Sequence, residues 1–159
     1  MRPVLPENLQ LENPLWDYAL SVYPRLNTSL IALQSHGARV NQLLAALWCS
    51  ATDRQWPSAV SPEIEHWHQQ QVLPIRQRRM ALKPELETYP QLRPLYEAYK
   101  SAEVNLERVE LAMLWAWLQS AAPHLPTSAE VNIDAVLSDN SVDLSLPERA
   151  QLIKQVNSL

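Results

Sequence analysis

Apolar residues recur along the chain at helical spacing, and prolines separate the runs. In "NPLWDYALSVY", Asn13 is placed to cap a helix whose first residue is Pro14. Leu15, Tyr18, Ala19 and Val22 share one face, and the helix is expected to stop before Pro24. A second helix, "SLIALQSH", is capped by Asn27 or Thr28 and ended by Gly37 in a left-handed conformation. Asn41 caps a third, "QLLAALWCSATDR", with Leu43, Leu44, Leu47 and Trp48 as its apolar stripe. Ser61, Pro62 and Glu63 start a fourth that reaches about Lys83. Pro74 lies inside it, which predicts a kink or break between Gln70 and Pro74.

The fifth helix carries the longest pattern. Leu92, Tyr99, Leu106 and Met113 repeat at one heptad position, and Leu95, Ala102, Val109 and Ala116 at another. Its end, "LAMLWAWL", is apolar nearly all round, so this helix is expected to be the buried spine of a bundle. Beyond Pro126 the sequence turns small, polar and acidic. Thr127 with Glu130, and Ser145 with Glu148, have capping-box spacing for two short helices. The pattern gives a single-domain, all-α bundle of about five main helices. Residues 1–12 form an N-terminal extension, 13–122 the bundle and 123–159 a short-helix appendage.

Composition narrows the chemistry. The chain has 159 residues and one glycine, Gly37. Phosphate loops and dinucleotide folds need repeated residues at positive φ, so neither is available in standard form. One cysteine, Cys49, gives no intramolecular disulfide, which fits a reducing compartment. "MRPVLPENLQ" lacks the apolar core of a signal peptide, and no apolar run is long enough to span a bilayer. The expected location is cytoplasmic, with no membrane association. A net charge of −4 argues against general coating of nucleic acid, but leaves room for a local basic patch.

Such a patch is "VLPIRQRRMALK". On a helical wheel Ile64, Ile75 and Leu82 set the apolar direction of the fourth helix, and Arg78 and Arg79 border it. On the fifth helix Glu103 and Glu110 fall in the sector of Tyr99, Leu106 and Met113, with Glu107 beside them. If Lys83 faces Leu92, Arg79 lies level with Tyr96 and is offset from Glu103 by roughly 10 Å. Arg79 is then expected to stack on Tyr96 or Tyr99, or to meet Asp17. Two readings stand side by side. The cations can complement the C-terminal dipole of their own helix. Alternatively, Arg76, Arg79 and Lys83, with Tyr96 and Tyr99, form a binding surface for an acidic protein partner or ligand, phosphate or RNA.

Other constellations are weaker. "EIEHWHQQQ" holds Glu-x-x-His spacing, and His68 with Glu103, Glu107 and Glu110 would be the ligands of a metal or enzymatic site, His68 lying near Glu107. A di-iron bundle needs that motif on two helices, however, and the fifth has no histidine. Cys49, beside Trp48 on a leucine-rich helix, reads as a buried structural thiol. Trp16, Trp48, Trp115 and Trp117 read as core. Trp56, in a loop, is either a contact anchor or packed on the end of the bundle.

Four segments, "NPLWDYALSVY", "LIALQSHGARVNQLLAALWCS", "VLPIRQRRMALK" and "LYEAYKSAEVNLERVELAML", resemble in order and spacing a family of small helical proteobacterial proteins of unknown function. The likeness runs from about Asn13 to Leu118. It implies an all-helical cytoplasmic bacterial protein and brings no catalytic residues. The expectation is a non-enzymatic binding or adaptor protein with no cofactor. A metal or enzymatic bundle and an RNA-associated protein are the alternatives, nucleic acid being the less favoured partner.

Overall fold

The computed structural model describes residues 2–159. Its elements are α1 (Pro14–Gln34), α2 (Val40–Ala51), α3 (Pro62–Trp67), a π-turn (His68–Val72), α4 (Leu73–Leu82), two 3-10 turns (Lys83–Leu86 and Pro90–Leu92), α5 (Arg93–Ala121), α6 (Ala129–Asp139) and α7 (Pro147–Asn157). There is no strand among the described residues, and no helix among them is long and apolar enough to cross a membrane.

The inner half of α5 is the spine. It packs against α1, α2 and α3, and Leu111, Ala112, Met113, Leu114 and Leu118 are buried along it. The C-terminal helices close the same core: α6 lies on α2 and α7 on α1. Ile133, Val136, Leu137 and Leu152 are fully buried among the bundle residues.

The first two expected helices are one. Asn13 caps α1 as its spacing predicts, Oδ1 accepting from the Trp16 N–H at 2.8 Å, but the helix continues through Pro24 to Gln34. An internal proline costs about 3 kcal/mol and leaves the carbonyl four residues back without its donor. That carbonyl belongs to Leu20, and Leu20 and Pro24 both face outward, where water can serve. On the other side Leu15, Ala19, Val22, Leu26, Leu30 and Leu33 form one uninterrupted buried stripe. At about 1.5–3 kcal/mol per large buried side chain, the stripe outweighs the proline.

Gly37 does close this helix, at φ 100°, with the Ala38 N–H returning to the Leu33 carbonyl. Other caps shift by a residue or more. Arg39, not Asn41, precedes α2. Ser128, not Thr127, caps α6, and Leu146, not Ser145, precedes α7. Trp56 is buried, its ring 5.5 Å from that of Trp117 in an edge-to-face contact.

Cys49 is fully buried. Burial pushes its thiol up to about 12, against a weaker pull from Arg54. We expect an aromatic disulfide reagent to leave Cys49 unmodified at pH 8 in the folded protein and to titrate one thiol once denaturant is added. Rapid native labelling would contradict this burial.

Candidate functional site

The segment from α3 through α4 runs antiparallel to α5, and polar side chains line the seam between them. Pro74 sets the local geometry. It cannot donate to the Gln70 carbonyl, and its ring would crowd that carbonyl in a regular helix. The chain answers by widening into the π-turn, in which the Leu73 N–H bonds to the His68 carbonyl. The expected kink is therefore an inserted residue rather than a break.

The buried side of α5 differs from the apolar repeat read in the sequence. Tyr96, Glu103 and Glu110 are buried, whereas Leu95 is 44% exposed and Ala102 and Val109 are half-buried. The seam position carries two glutamates because the facing helices supply their partners. Glu110, only 3% exposed, accepts from Asn41 Nδ2 on one oxygen and from His68 Nδ1 on the other, both at 2.8 Å. Glu103 accepts from Arg76 Nε at 2.9 Å and from Arg79 Nε, and Glu107 accepts from Arg76 Nη2 at 2.8 Å. Trp67 adds a bond from its indole N–H to the Leu106 carbonyl at 2.9 Å.

These contacts correct the expected register. Arg79 does lie beside Tyr96, within reach of its hydroxyl, but it neither stacks on that ring nor reaches Asp17. It bonds to Glu103, and His68 meets Glu110 rather than Glu107. The chain keeps a helical path through Lys83–Leu86 and reverses only at Tyr89, where φ and ψ leave the helical region. The turn therefore lies farther out than Pro84 suggests, which slides α5 along α4. The cation over the Tyr96 ring is Arg93, at 5.8 Å.

The seam is electrostatically uneven. Burial pushes the Glu103 carboxyl up, but hydrogen bonds from Arg79 and Arg76 outweigh it and hold the group below the usual glutamate range. Burial prevails at Glu107, with help from Glu103 and Glu110, and holds it above that range despite Arg76. Burial lowers Arg76, yet its bonds to Glu103 and Glu107 more than offset this and keep it raised.

Of the five residues expected to form a partner surface, Arg76 and Arg79 have their guanidinium groups engaged in the seam and Tyr96 is buried. Tyr99 is half-buried and Lys83 is exposed. Of the four in the metal alternative, Glu103 and Glu107 pair with arginine, while His68 and Glu110 pair with each other. Among the described residues no group of three or more His, Cys, Asp or Glu side chains is arranged to hold a metal ion. Asn41 is the seam residue the sequence reading placed elsewhere. Its only signal is an amide entering an apolar helix where an unpaired glutamate needs a donor.

Outside the seam the hairpin carries little core. Between Leu73 and Ala102 the only buried residue is Tyr96, and α4 packs on α5 and on the turns at its own ends. The hairpin is thus an arm whose root is fixed by ion pairs and whose outer turns stand clear of the bundle.

A family described as a protein of unknown function, DUF2390, matches residues 14–114. The chain belongs to that family. The DUF2390 segment takes in α1 to α4 and α5 as far as Leu114, so the arm and the whole polar seam fall inside it. Helices α6 and α7, which complete the core, fall outside. No match was found among the curated proteins or the solved structures.

Proposed function

We propose that the protein is a non-enzymatic binding protein whose arm docks on an acidic surface of another protein. The observation carrying this reading is the arm's charge against its lack of any core role. With Arg76 and Arg79 paired to Glu103 and Glu107, residues 73–102 present the exposed cations Arg78, Lys83, Arg93 and Lys100 against Glu85, Glu87 and Glu97, a slight cationic excess in a chain that holds thirteen Arg and Lys against seventeen Asp and Glu. Lys83 and Tyr99 stay in the docking surface. Arg78 and Lys100 join them as exposed cations, and Met80 and Leu95 are exposed apolar contacts, 59% and 44% accessible. Arg76 and Arg79 act one step back, bracing the arm through Glu103 and Glu107. Cationic and apolar groups interspersed on a helical hairpin suit a protein surface, where charge steers the encounter and apolar contacts hold it.

Photo-crosslinking in the native cell tests this. A crosslinker at position 80 or 95 is expected to give a discrete adduct with an acidic protein, absent for a crosslinker at the exposed Val131 on α6. The adduct is expected to vanish in Arg78→Glu with Lys83→Glu and Lys100→Glu, while the melting temperature stays within a few degrees. Adducts with RNA, or equal adducts from position 131, would overturn the reading.

A further inference from the structure

A cavity of about 330 Å³ lies where α1, α2, the π-turn and α5 meet, apart from the exposed face of the arm. Its volume is at the lower end of the roughly 300–1,000 Å³ typical of small-molecule pockets. Trp16, Ala19, Leu20, Leu44, Val104 and Leu111 supply apolar walls. Leu20 and Val104, more than half exposed, mark where it opens to solvent.

Two of the polar lining residues hold an oxygen that no donor reaches. Arg76 Nη2 takes one oxygen of Glu107, while Oε2 makes no hydrogen bond among the described residues. Asn41 Nδ2 donates to the Glu110 carboxylate at 2.8 Å and to the Glu107 carbonyl at 3.4 Å. Both partners are acceptors, which fixes the orientation of the amide and leaves Oδ1 unbonded in a residue only 8% exposed. Neither oxygen is sealed from water, so each can meet a ligand. The contact to the Glu107 carbonyl sets the two residues side by side.

Carboxylates dominate the field around these oxygens. Burial raises Glu107 above the usual glutamate range, and Glu103 and Glu110 add to the rise against Arg76. Tyr23, which also lines the cavity, is raised first by burial, and Glu107 acts on it more strongly than Arg76 does. The two guanidinium groups in the wall are already committed. Arg76 is shared between Glu103 and Glu107, and Arg39 pairs with Glu65 while its Nη1 is closed to solvent. His68 and Glu110 satisfy each other. A partly desolvated carboxylate with one oxygen unpaired gains from a cation brought beside it.

Open acceptors in such a field, next to apolar and aromatic walls, select a cation that carries its own donors. We infer that the cavity binds a small primary amine, as its ammonium ion, with an apolar body. The ammonium donates to Glu107 Oε2 and Asn41 Oδ1, and the body lies along Trp16, Ala19 and Leu111. A quaternary ammonium has no N–H to give these oxygens and is the poorer ligand. This site is separate from the docking face of the arm, and neither reading depends on the other.

Titration of the full chain at neutral pH with hexylamine, hexyltrimethylammonium, hexanamide and hexanoate, followed by Trp fluorescence and by calorimetry, tests the assignment. Hexylamine is expected to saturate one site and to bind at least tenfold more tightly than each of the others. Glu107→Gln should weaken hexylamine at least tenfold and leave hexanamide within about threefold. Val104→Trp, which covers the mouth from an exposed position, should weaken both. No saturable binding of hexylamine, equal or tighter binding of any other probe, or hexylamine binding unchanged in either variant would each overturn the proposal. The ranking of the four probes on the parent chain decides the matter if Glu107→Gln fails to fold.

Discussion

Reversing both seam arginines, Arg76→Glu with Arg79→Glu, is expected to remove about 3–5 kcal/mol of folding stability. A protein of this size has roughly 5–15 kcal/mol in total, so the melting temperature should fall on the order of 10 °C. Glu103 has a side chain only 9% exposed and takes bonds from both guanidinium groups, and Arg76 also holds Glu107. The double variant would place two new carboxylates against these two, in a seam with no other cation bonded to Glu103 or Glu107. Like charges in a partly desolvated site cannot be screened as surface charges are. Arg78→Glu, next to Arg79 in sequence but exposed, should change stability by no more than about 0.5 kcal/mol. Thermal melts of the two variants check the distinction. If the double reversal melts with the parent protein, the seam described here is wrong.

Removing Glu110 should be comparably severe. Glu110→Ala deprives His68 Nδ1 of its acceptor and leaves Asn41 Nδ2 only the Glu107 carbonyl at 3.4 Å, and both residues are more than nine-tenths buried. A buried donor left unmade costs about 1–3 kcal/mol, and a broken buried pair about 3–5 kcal/mol. The contrast lies in the variant that removes every member together. Glu110→Leu with His68→Leu and Asn41→Leu leaves no polar group stranded and is expected to fold with nearly the parent's stability. Urea unfolding of both would show a large loss for the first and a small change for the second. A loss below about 1 kcal/mol for Glu110→Ala would count against the buried network.

The gap between these variants shows what periodicity can convey. Apolar spacing located the spine helix, its buried terminal stretch and the helical class throughout, because those depend on one helix at a time. It misassigned the second seam position of α5, where Leu95, Ala102 and Val109 lie one residue from Tyr96, Glu103 and Glu110. The two stripes differ by about 100° of rotation, and only the residues opposite decide which turns inward. Arg76, Arg79, His68 and Asn41 come from α4, the π-turn and α2, and nothing in the spacing along α5 names them. The same holds at Pro24. Locally it reads as a stop, and the stripe through Leu26, Leu30 and Leu33 overrides it because α2 and α7 cover that face.

The π-turn at His68–Val72 also sets the phase of everything after it. One surplus residue advances each later side chain by about 100° around the axis. Arg76 and Arg79 face the glutamates of α5 only with that surplus in place. Shortening the turn by a single residue would swing both guanidinium groups off their carboxylates while leaving the composition almost untouched. The wound-in extra residue thus works as a frame-keeping element: the pairing of the two helices of this hairpin is specified by length as much as by charge.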